Sequence, residues 1–399
     1  MPDPYPRLIL DERKANLLDR RHPWLFTGAV RRAEGKPQEG DPIHIALPDG
    51  TVLATAHYQA EGSIAARILA FEKRVIDADF WIQRLQNALK TRQAAQLTNN
   101  PETNTFRWVH AEGDGLPGLI IDYYNGTAVL QAHSGGMWRA RYDICQALQA
   151  VMGSRLQAVY DKSAETLAAG SQLVANNGYL YGTGTGNTIA QENGLQFKID
   201  WQSGQKTGFF IDQRDNRHLV AHYAPQRRVL NTFCYTGGFS AYALRAGAAL
   251  VHSIDSSGRA IALTDENIAL NGFAQAQHQS YQADTLRFLQ QSPHSAYDLI
   301  ILDPPAYAKH LSARHKAVQG YKRLNALALQ RIASGGILFT FSCSAVVTRQ
   351  LFYDTITAAA IEAQRPVRVL HHLYQPPDHP VSLFHPEGEY LKGLVLYCE

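Results

Sequence analysis

From residue 228 to the end of the chain, β-forming runs alternate with helical stretches, and this alternation constrains the fold more than any other feature. The runs fall at 229–233, 250–255, 277–283, 297–303, 336–341 and 367–374, with a closing apolar strand at 391–398. Strands separated by helices lead to a doubly wound α/β domain, a mainly parallel sheet covered on both faces. In such a sheet ligands bind beyond the carboxyl ends of the strands, so the chemistry is expected there.

The unusual residues do fall at strand ends. The first run ends in Asn231, Phe233 and Tyr235 and passes through Gly237-Gly238 into a helix. Paired glycines let a backbone come close to a ligand, where side chains block the approach. Eighteen residues after Gly237, the second strand ends in Asp255, placed to accept hydrogen bonds from two ribose hydroxyls. The third ends in Asp284, placed to meet an adenine amino group. A Gly-Gly turn alone is no more than a tight corner, but three such ends in order carry more weight. There is no GxGxxG, which argues against a dehydrogenase, and no GxxxxGK[ST], which argues against a triphosphatase. Gly182-Thr-Gly-Thr-Gly186 has no strong strand and helix around it and reads as a loop.

The fourth strand ends in Asp303-Pro304-Pro305, whose prolines stop the strand and stiffen the chain behind the carboxylate. The fifth ends in Ser342-Cys343-Ser344. Cys145 and Cys398 read as small buried hydrophobes, and Cys234 as part of the cofactor loop. Cys343 has a different address, on the same sheet edge as Asp303. A thiolate there can add to C6 of a pyrimidine and make C5 nucleophilic enough to take a methyl group.

A length of 399 residues suits two or three domains, and 45% hydrophobic with 18% charged residues supports real cores. Residues 1–72 carry short strands broken by Gly and Pro, the grammar of a small β-barrel. Residues 73–190 read as a small α+β domain opened by a helix at 77–97, and 191–399 as the α/β domain, entered through a β-hairpin at 194–212 with its turn at Ser203-Gly204. Net charge is only +3, but the first 32 residues hold seven Lys/Arg against four Asp/Glu. Four scattered cysteines without CxxC argue against a disulfide framework or cysteine zinc site, and the 16 histidines form no compact metal motif. The chain opens without a signal-peptide pattern and has no membrane-length apolar run, so a cytoplasmic protein without bound metal is expected.

With these residues in view, the chain resembles the RlmI-type large-subunit (23S) ribosomal RNA cytosine-5 methyltransferases over nearly its full length. Arg20-Arg-His-Pro-Trp-Leu-Phe-Thr-Gly28 looks like the opening of that family's PUA RNA-binding domain, and Glu112-Gly-Asp-Gly-Leu-Pro-Gly118 like its central-domain signature. The run from Gly204 to Arg217 is similar to the segment before its cofactor loop. The loop from Asn231 to Gly238, Asp303-Pro-Pro305, Phe341-Ser-Cys-Ser344, and Glu387-Gly388 with Tyr390-Leu-Lys-Gly393 complete the series.

The resemblance implies a class I S-adenosylmethionine-dependent methyltransferase domain preceded by a PUA domain and a central α+β domain. It implies large-subunit ribosomal RNA as partner and 5-methylcytosine as product. Cys343 would be the nucleophile, and Asp303 would hold cytosine at its N3 side while bordering the cofactor. Asn231, Phe233, Tyr235, Gly237, Gly238, Asp255 and Asp284 would contact the cofactor, with the stretch Asp212-Gln213-Arg214 nearby. Related cytosine-5 enzymes carry a second cysteine just after the proline motif. Here that position is Ala306, so a different base must remove the C5 proton.

Lys14, Arg20 and Arg21 are the candidate RNA-phosphate contacts, each otherwise an ordinary surface charge. Two other readings remain at this stage: a methylase of purine nitrogens, which needs no cysteine, and a non-catalytic RNA-binding assembly factor that keeps the cofactor fold. A homodimer also stays open.

Overall fold

In the computed structural model, which describes residues 5–167, 173–273 and 277–399, contacts divide the chain into two units. One comprises Met1–Thr188, Ile199–Phe209 and Pro377–Gly388, the other Ile189–Lys198, Phe210–Pro376 and Glu389–Glu399.

The first unit opens with six strands: β1 (Arg7–Leu10), β2 (Trp24–Phe26), β3 (Val30–Glu34), β4 (Pro42–Ala46), β5 (Val52–Tyr58) and β6 (Ile64–Ala70). They order as β2-β6-β5-β4-β1-β3, so consecutive strands β2 and β3 lie at opposite ends of the sheet. Only residues 27–29 separate these two strands, and the sheet must therefore curl back on itself around its core of Leu8, Leu10, Ile43, Ile45 and Ile68. Helix α1 (Ala78–Ala94) starts where the Asp77 carboxylate accepts the Phe80 N–H at 2.9 Å. Its apolar stripe of Phe80, Trp81, Leu85, Ala88 and Leu89 is buried, as the 3.6-residue period requires.

A five-stranded sheet follows, ordered β11-β10-β9-β8-β7. It is built from β7 (Thr105–His110), β8 (Leu119–Tyr124), β9 (Thr127–Ala132), β10 (Ala158–Asp161) and β11 (Gly178–Tyr181), with α2 (Gly135–Arg139) and α3 (Arg141–Met152) after β9. Trp81, Trp108, Ile144 and Leu148 share its core.

The strands β12 (Asn187–Glu192) and β13 (Leu195–Asp200) pair with each other. This corrects the expected hairpin at 194–212. Residues 195–200 pair backward, and 211–213 forms a 3-10 turn instead of a returning strand. The reason lies in the turns. A two-residue hairpin loop needs positive φ at both positions, which Asn-Gly supplies. Asn193 and Gly194 have φ of 49° and 81°, whereas Ser203-Gly204 lies in an irregular loop.

The second unit holds the expected doubly wound domain: α4 (Arg214–Tyr223), β14 (Arg228–Thr232), α5 (Gly238–Arg245), β15 (Leu250–Asp255), α6 (Gly258–Leu270), β16 (His278–Gln282), α7 (Thr285–Gln291), β17 (Leu299–Leu302), α8 (Arg314–Arg331), β18 (Gly336–Ser342), α9 (Arg349–Glu362), β19 (Val367–Leu373) and β20 (Lys392–Cys398). The sheet order is β16-β15-β14-β17-β18-β20-β19. Every neighbouring pair is parallel except those of β20, which runs antiparallel to both β18 and β19. The chain winds outward from β14 to β16, then returns to β17 on the other side. The crevice between the ends of β14 and β17 is therefore the switch point where a ligand is expected. No helix among the described residues is long and apolar enough to cross a membrane.

If Asn193-Gly194 sets this hairpin, Gly194→Val forces a β-branched residue to positive φ and costs about 1–2 kcal/mol. Urea unfolding followed by circular dichroism measures this; an unchanged midpoint contradicts it.

Candidate active site

The loop after β14 is wound tightly. Phe233 and Tyr235, both bulky, adopt φ of 54° and 47°, and Gly237 has 74°. Such left-handed values in non-glycine residues persist only where the surroundings hold them. Here the Cys234 N–H donates to the Ile254 carbonyl at 3.0 Å, and Tyr235 N–H donates to the Asp255 carboxylate at 3.1 Å. Thr264 and Asn267 on α6 donate to the carbonyls of Tyr235 and Thr236 at 3.0 and 2.8 Å. A side chain at Gly237 would come within 2.7 Å of Thr264 Cγ2, and one at Gly238 within 2.9 Å of Arg217 Cδ. The glycines thus serve the loop's own packing.

Asp255 ends β15. Its Oδ2 takes the Tyr235 N–H, and its Oδ1 takes the Ser257 N–H at 2.9 Å. Each oxygen keeps a further lone pair, the donor-seeking geometry that a pair of ribose hydroxyls matches. Asp284 is exposed and caps α7 by accepting the Arg287 N–H at 2.9 Å. Asn231 lies beneath the loop. It is buried, and its amide donates to Ser240 Oγ at 2.9 Å, bracing β14 against α5.

The segment before α4 is fixed by a buried ion pair that the sequence did not signal. Glu192, at the end of β12, accepts two hydrogen bonds of 2.8 Å from Arg217, whose third nitrogen donates to the Phe210 carbonyl at 2.9 Å. Arg214, expected near the cofactor, brings its Nε within 3.5 Å of the same carboxylate. Phe210 meets Tyr235 edge to face at 5.1 Å between ring centroids, so the segment abuts the cofactor loop. Gln213 is buried and accepts the Asn216 amide N–H at 2.6 Å through Oε1. That leaves its own N–H groups for the carboxyl of Asp303, with which it is hydrogen-bonded.

Asp303 follows β17. Burial pushes its carboxyl up to about 7, and the neighbouring charge of Asp212 adds to the rise, while the Gln213 hydrogen bond and Arg217 oppose it. Asp303 therefore keeps its proton below about pH 7 and can donate it there.

Cys343 follows β18, the strand next to β17. It is partly exposed, whereas Cys145, Cys234 and Cys398 are buried. Burial pushes the thiols of Cys234 and Cys398 up to about 12, so neither is a nucleophile at neutral pH. The turn carrying Cys343 is held on two sides. Ser344 Oγ donates to the Ala308 carbonyl at 2.6 Å, which ties it to the loop after Asp303. Buried Lys392, opposite Ser342 in the β18–β20 ladder, donates from Nζ to the carbonyls of Ser344 and Val347, both at 2.7 Å. Burial pulls this ammonium down to about 8, and the negative charge that Cys343 can carry draws it back up. By reciprocity the ammonium favours the thiolate. Lys392 and Arg217 sit inside motifs that resemble a known family but show no role by spacing.

In the first unit, Lys14, Arg20 and Arg21 are exposed on or beside a 3-10 segment, Glu12–Arg20. Lys14 Nζ donates to the Gly28 carbonyl, and the Arg21 guanidinium lies 5.8 Å from the Phe71 ring centre. His22, His385 and Glu387 gather their ligating atoms within 4.8 Å. The His22 Nδ1 lies 3.1 Å from the Trp24 N–H and 3.3 Å from the Trp24 carbonyl, and its Nε2 lies 3.6 Å from the Glu387 carboxylate.

Comparison with known proteins agrees with this geometry. Residues 175–388 match the S-adenosylmethionine-dependent methyltransferase family, and residues 8–71 match a PUA-like domain. The chain is 37% identical over 396 residues to a ribosomal RNA large subunit methyltransferase I of Alteromonas mediterranea, covering 98% of both. It is 39% identical over 393 residues to the protein of that name from Aeromonas hydrophila, covering 97% of this chain and 98% of the relative. A Streptococcus mutans protein assigned as a SAM-dependent methyltransferase superposes with a TM-score of 0.82 at 21% identity, covering 98% and 99% of the two chains, and so shares the fold.

Lys392 loses its proton as pH rises through about 8, so its support for a Cys343 thiolate is present below that value and lost above it. Lys392→Met should slow iodoacetamide alkylation of Cys343 at pH 7 roughly fivefold, the effect of an interaction on the order of 1 kcal/mol. Mass spectrometry of the labelled peptide reads this, and unchanged alkylation contradicts it.

Proposed function

Because this chain belongs to the ribosomal RNA large subunit methyltransferase I family and is a S-adenosylmethionine-dependent methyltransferase, we propose that it methylates C5 of a cytosine in 23S ribosomal RNA through a covalent adduct at Cys343. The observation that carries the reading is the address of Cys343. It is the one cysteine of four that is not buried, and its turn is bonded to the loop that follows Asp303.

The residues around the loop fit the cofactor. Asp255 offers lone pairs at the end of β15 where ribose hydroxyls would lie, and Phe233, Tyr235, Gly237 and Gly238 shape the turn beside it. Asp284, Gln213 and Arg214 border the same sheet edge in this reading. When bound, S-adenosylmethionine supplies an electrophilic methyl group.

The remaining chemistry belongs to the chain's own side chains. The Cys343 thiolate, favoured by Lys392, adds to C6 of the cytosine. Electron density moves into the ring toward N3, where protonated Asp303 donates. C5 thereby becomes the nucleophile. Loss of the C5 proton then restores the double bond and expels the thiolate. The target ring must reach both thiol and methyl donor, so a paired cytosine has to flip out of its stack.

Residues 1–72 would grip RNA phosphates through Lys14, Arg20 and Arg21, residues 73–190 would form the central domain, and 191–399 the catalytic one. This cytoplasmic assignment follows the location of the RNA.

The test supplies methyl-labelled cofactor and protein-free large-subunit RNA, then identifies the labelled nucleoside. Wild type should yield 5-methylcytidine, and Cys343→Ala should lose activity by on the order of 10³-fold or more. A nitrogen-methylated purine that survives the substitution contradicts the cytosine reading. Cofactor binding without turnover on any RNA contradicts catalysis altogether.

A further inference from the structure

Release of the methylated base requires removal of the C5 proton, and the position after the proline motif, where a second cysteine would stand, is Ala306. Resting on the cytosine reading above, we infer that Asp212 is the base that takes this proton.

The neighbours of the two reacting residues narrow the choice. Asp212, Gln213 and Arg217 act on Asp303, and Tyr321 and Lys392 are within electrostatic reach of Cys343. Gln213 is an amide and cannot serve. Arg217 stays protonated and is held in two bonds by Glu192. Burial pushes the Tyr321 hydroxyl up to about 12, so it keeps its proton at neutral pH. Lys392 directs two N–H groups to the carbonyls of Ser344 and Val347 and acts as a cation. Asp212 is the member of this set that offers a free lone pair. Its Oδ2 accepts the Tyr390 hydroxyl at 2.6 Å, and its Oδ1 is buried without a hydrogen-bond donor.

The placement also fits. Tyr390 and Lys392 are two residues apart, and one holds Asp212 while the other holds the turn of Cys343. A single short segment thus fixes the base and the nucleophile relative to each other. The two carboxyl groups then divide the work, Asp303 donating at N3 and Asp212 accepting at C5.

After methyl transfer the ring carries a C5–H bond beside the C6–S bond. Asp212 Oδ1 takes the proton. The C–H electron pair becomes the C5=C6 double bond, and the C6–S pair leaves with sulfur as the thiolate. N3 gives its proton back to the Asp303 carboxylate, the Asp212 carboxylic acid returns its own to water, and no oxidant or reductant is needed.

The experiment uses full-length Asp212→Asn with methyl-labelled S-adenosylmethionine and protein-free large-subunit RNA. Asparagine keeps an acceptor for Tyr390 but cannot take a proton. Product release should fall by about 10²-fold or more, and a methyl-labelled protein–RNA adduct should accumulate on a denaturing gel, with cofactor affinity by calorimetry unchanged. Tyr390→Phe, which keeps the carboxylate, should turn over without trapping an adduct. Release of 5-methylcytidine from Asp212→Asn at the wild-type rate overturns the inference. So does loss of cofactor binding without an adduct, which assigns Asp212 to the cofactor instead. Cys343→Ala alone separates the two claims. If it still methylates RNA, the covalent reading fails; if it is inactive and Asp212→Asn alone traps nothing, only the assignment of Asp212 fails.

Discussion

Glu192 has no exposure to solvent, and its carboxylate meets Arg217 through two bonds of 2.8 Å inside the second unit. Desolvating both charges is expensive, and the pair persists because its geometry is bidentate and further donors are satisfied. The Tyr242 hydroxyl donates to the same carboxylate at 3.1 Å, and Arg217 also holds the Phe210 carbonyl. One buried anion therefore joins the β12–β13 hairpin, the start of α4 and helix α5. The segment so fixed carries Asp212 and Gln213, which set the protonation of Asp303. Breaking either partner leaves an uncompensated buried charge, at a cost of about 3–5 kcal/mol.

From that anchor the site is assembled by strand ends. The strained turn at 233–237 is held by Asp255, Thr264 and Asn267, all outside the turn itself. On the other side of the switch point, β20 inserts antiparallel between β18 and β19. That insertion puts Lys392 opposite Ser342, one residue before Cys343. A lysine near the end of the sequence thereby reaches the turn after the fifth strand. The parallel sheet positions the proposed reacting groups, and the inserted strand brings the Lys392 ammonium to the turn of Cys343.

Much of this was legible in the residue order. The seven strands of the catalytic sheet lie within two residues of the expected runs. The central parallel strands β17 and β18 are fully buried and read as continuous hydrophobic stretches, whereas the edge strands β16 and β19 are partly exposed and more polar. Cys343 stood out by its address alone. The hairpin did not, because Ser203-Gly204 resembled a turn while Asn193-Gly194, the stronger signal, sat unused between two short runs. Glu192 and Arg217 are 25 residues apart and carry no motif of their own, so their pairing appears only when the hairpin folds onto α4. Lys392 and Asp212 sat within recognisable segments, but their partners, the Cys343 turn and Tyr390, are set by tertiary contacts that no local spacing encodes.

The central claim is that Cys343 bonds to the target cytosine. Large-subunit RNA transcribed with 5-fluorocytidine tests it directly, since fluorine at C5 cannot leave as a proton and the adduct cannot resolve. The account predicts a stable protein–RNA complex in the presence of S-adenosylmethionine, with the nucleotide mass on the peptide containing Cys343. Full methyl-transfer activity on ordinary RNA without any trapped complex on the fluorinated RNA would contradict it.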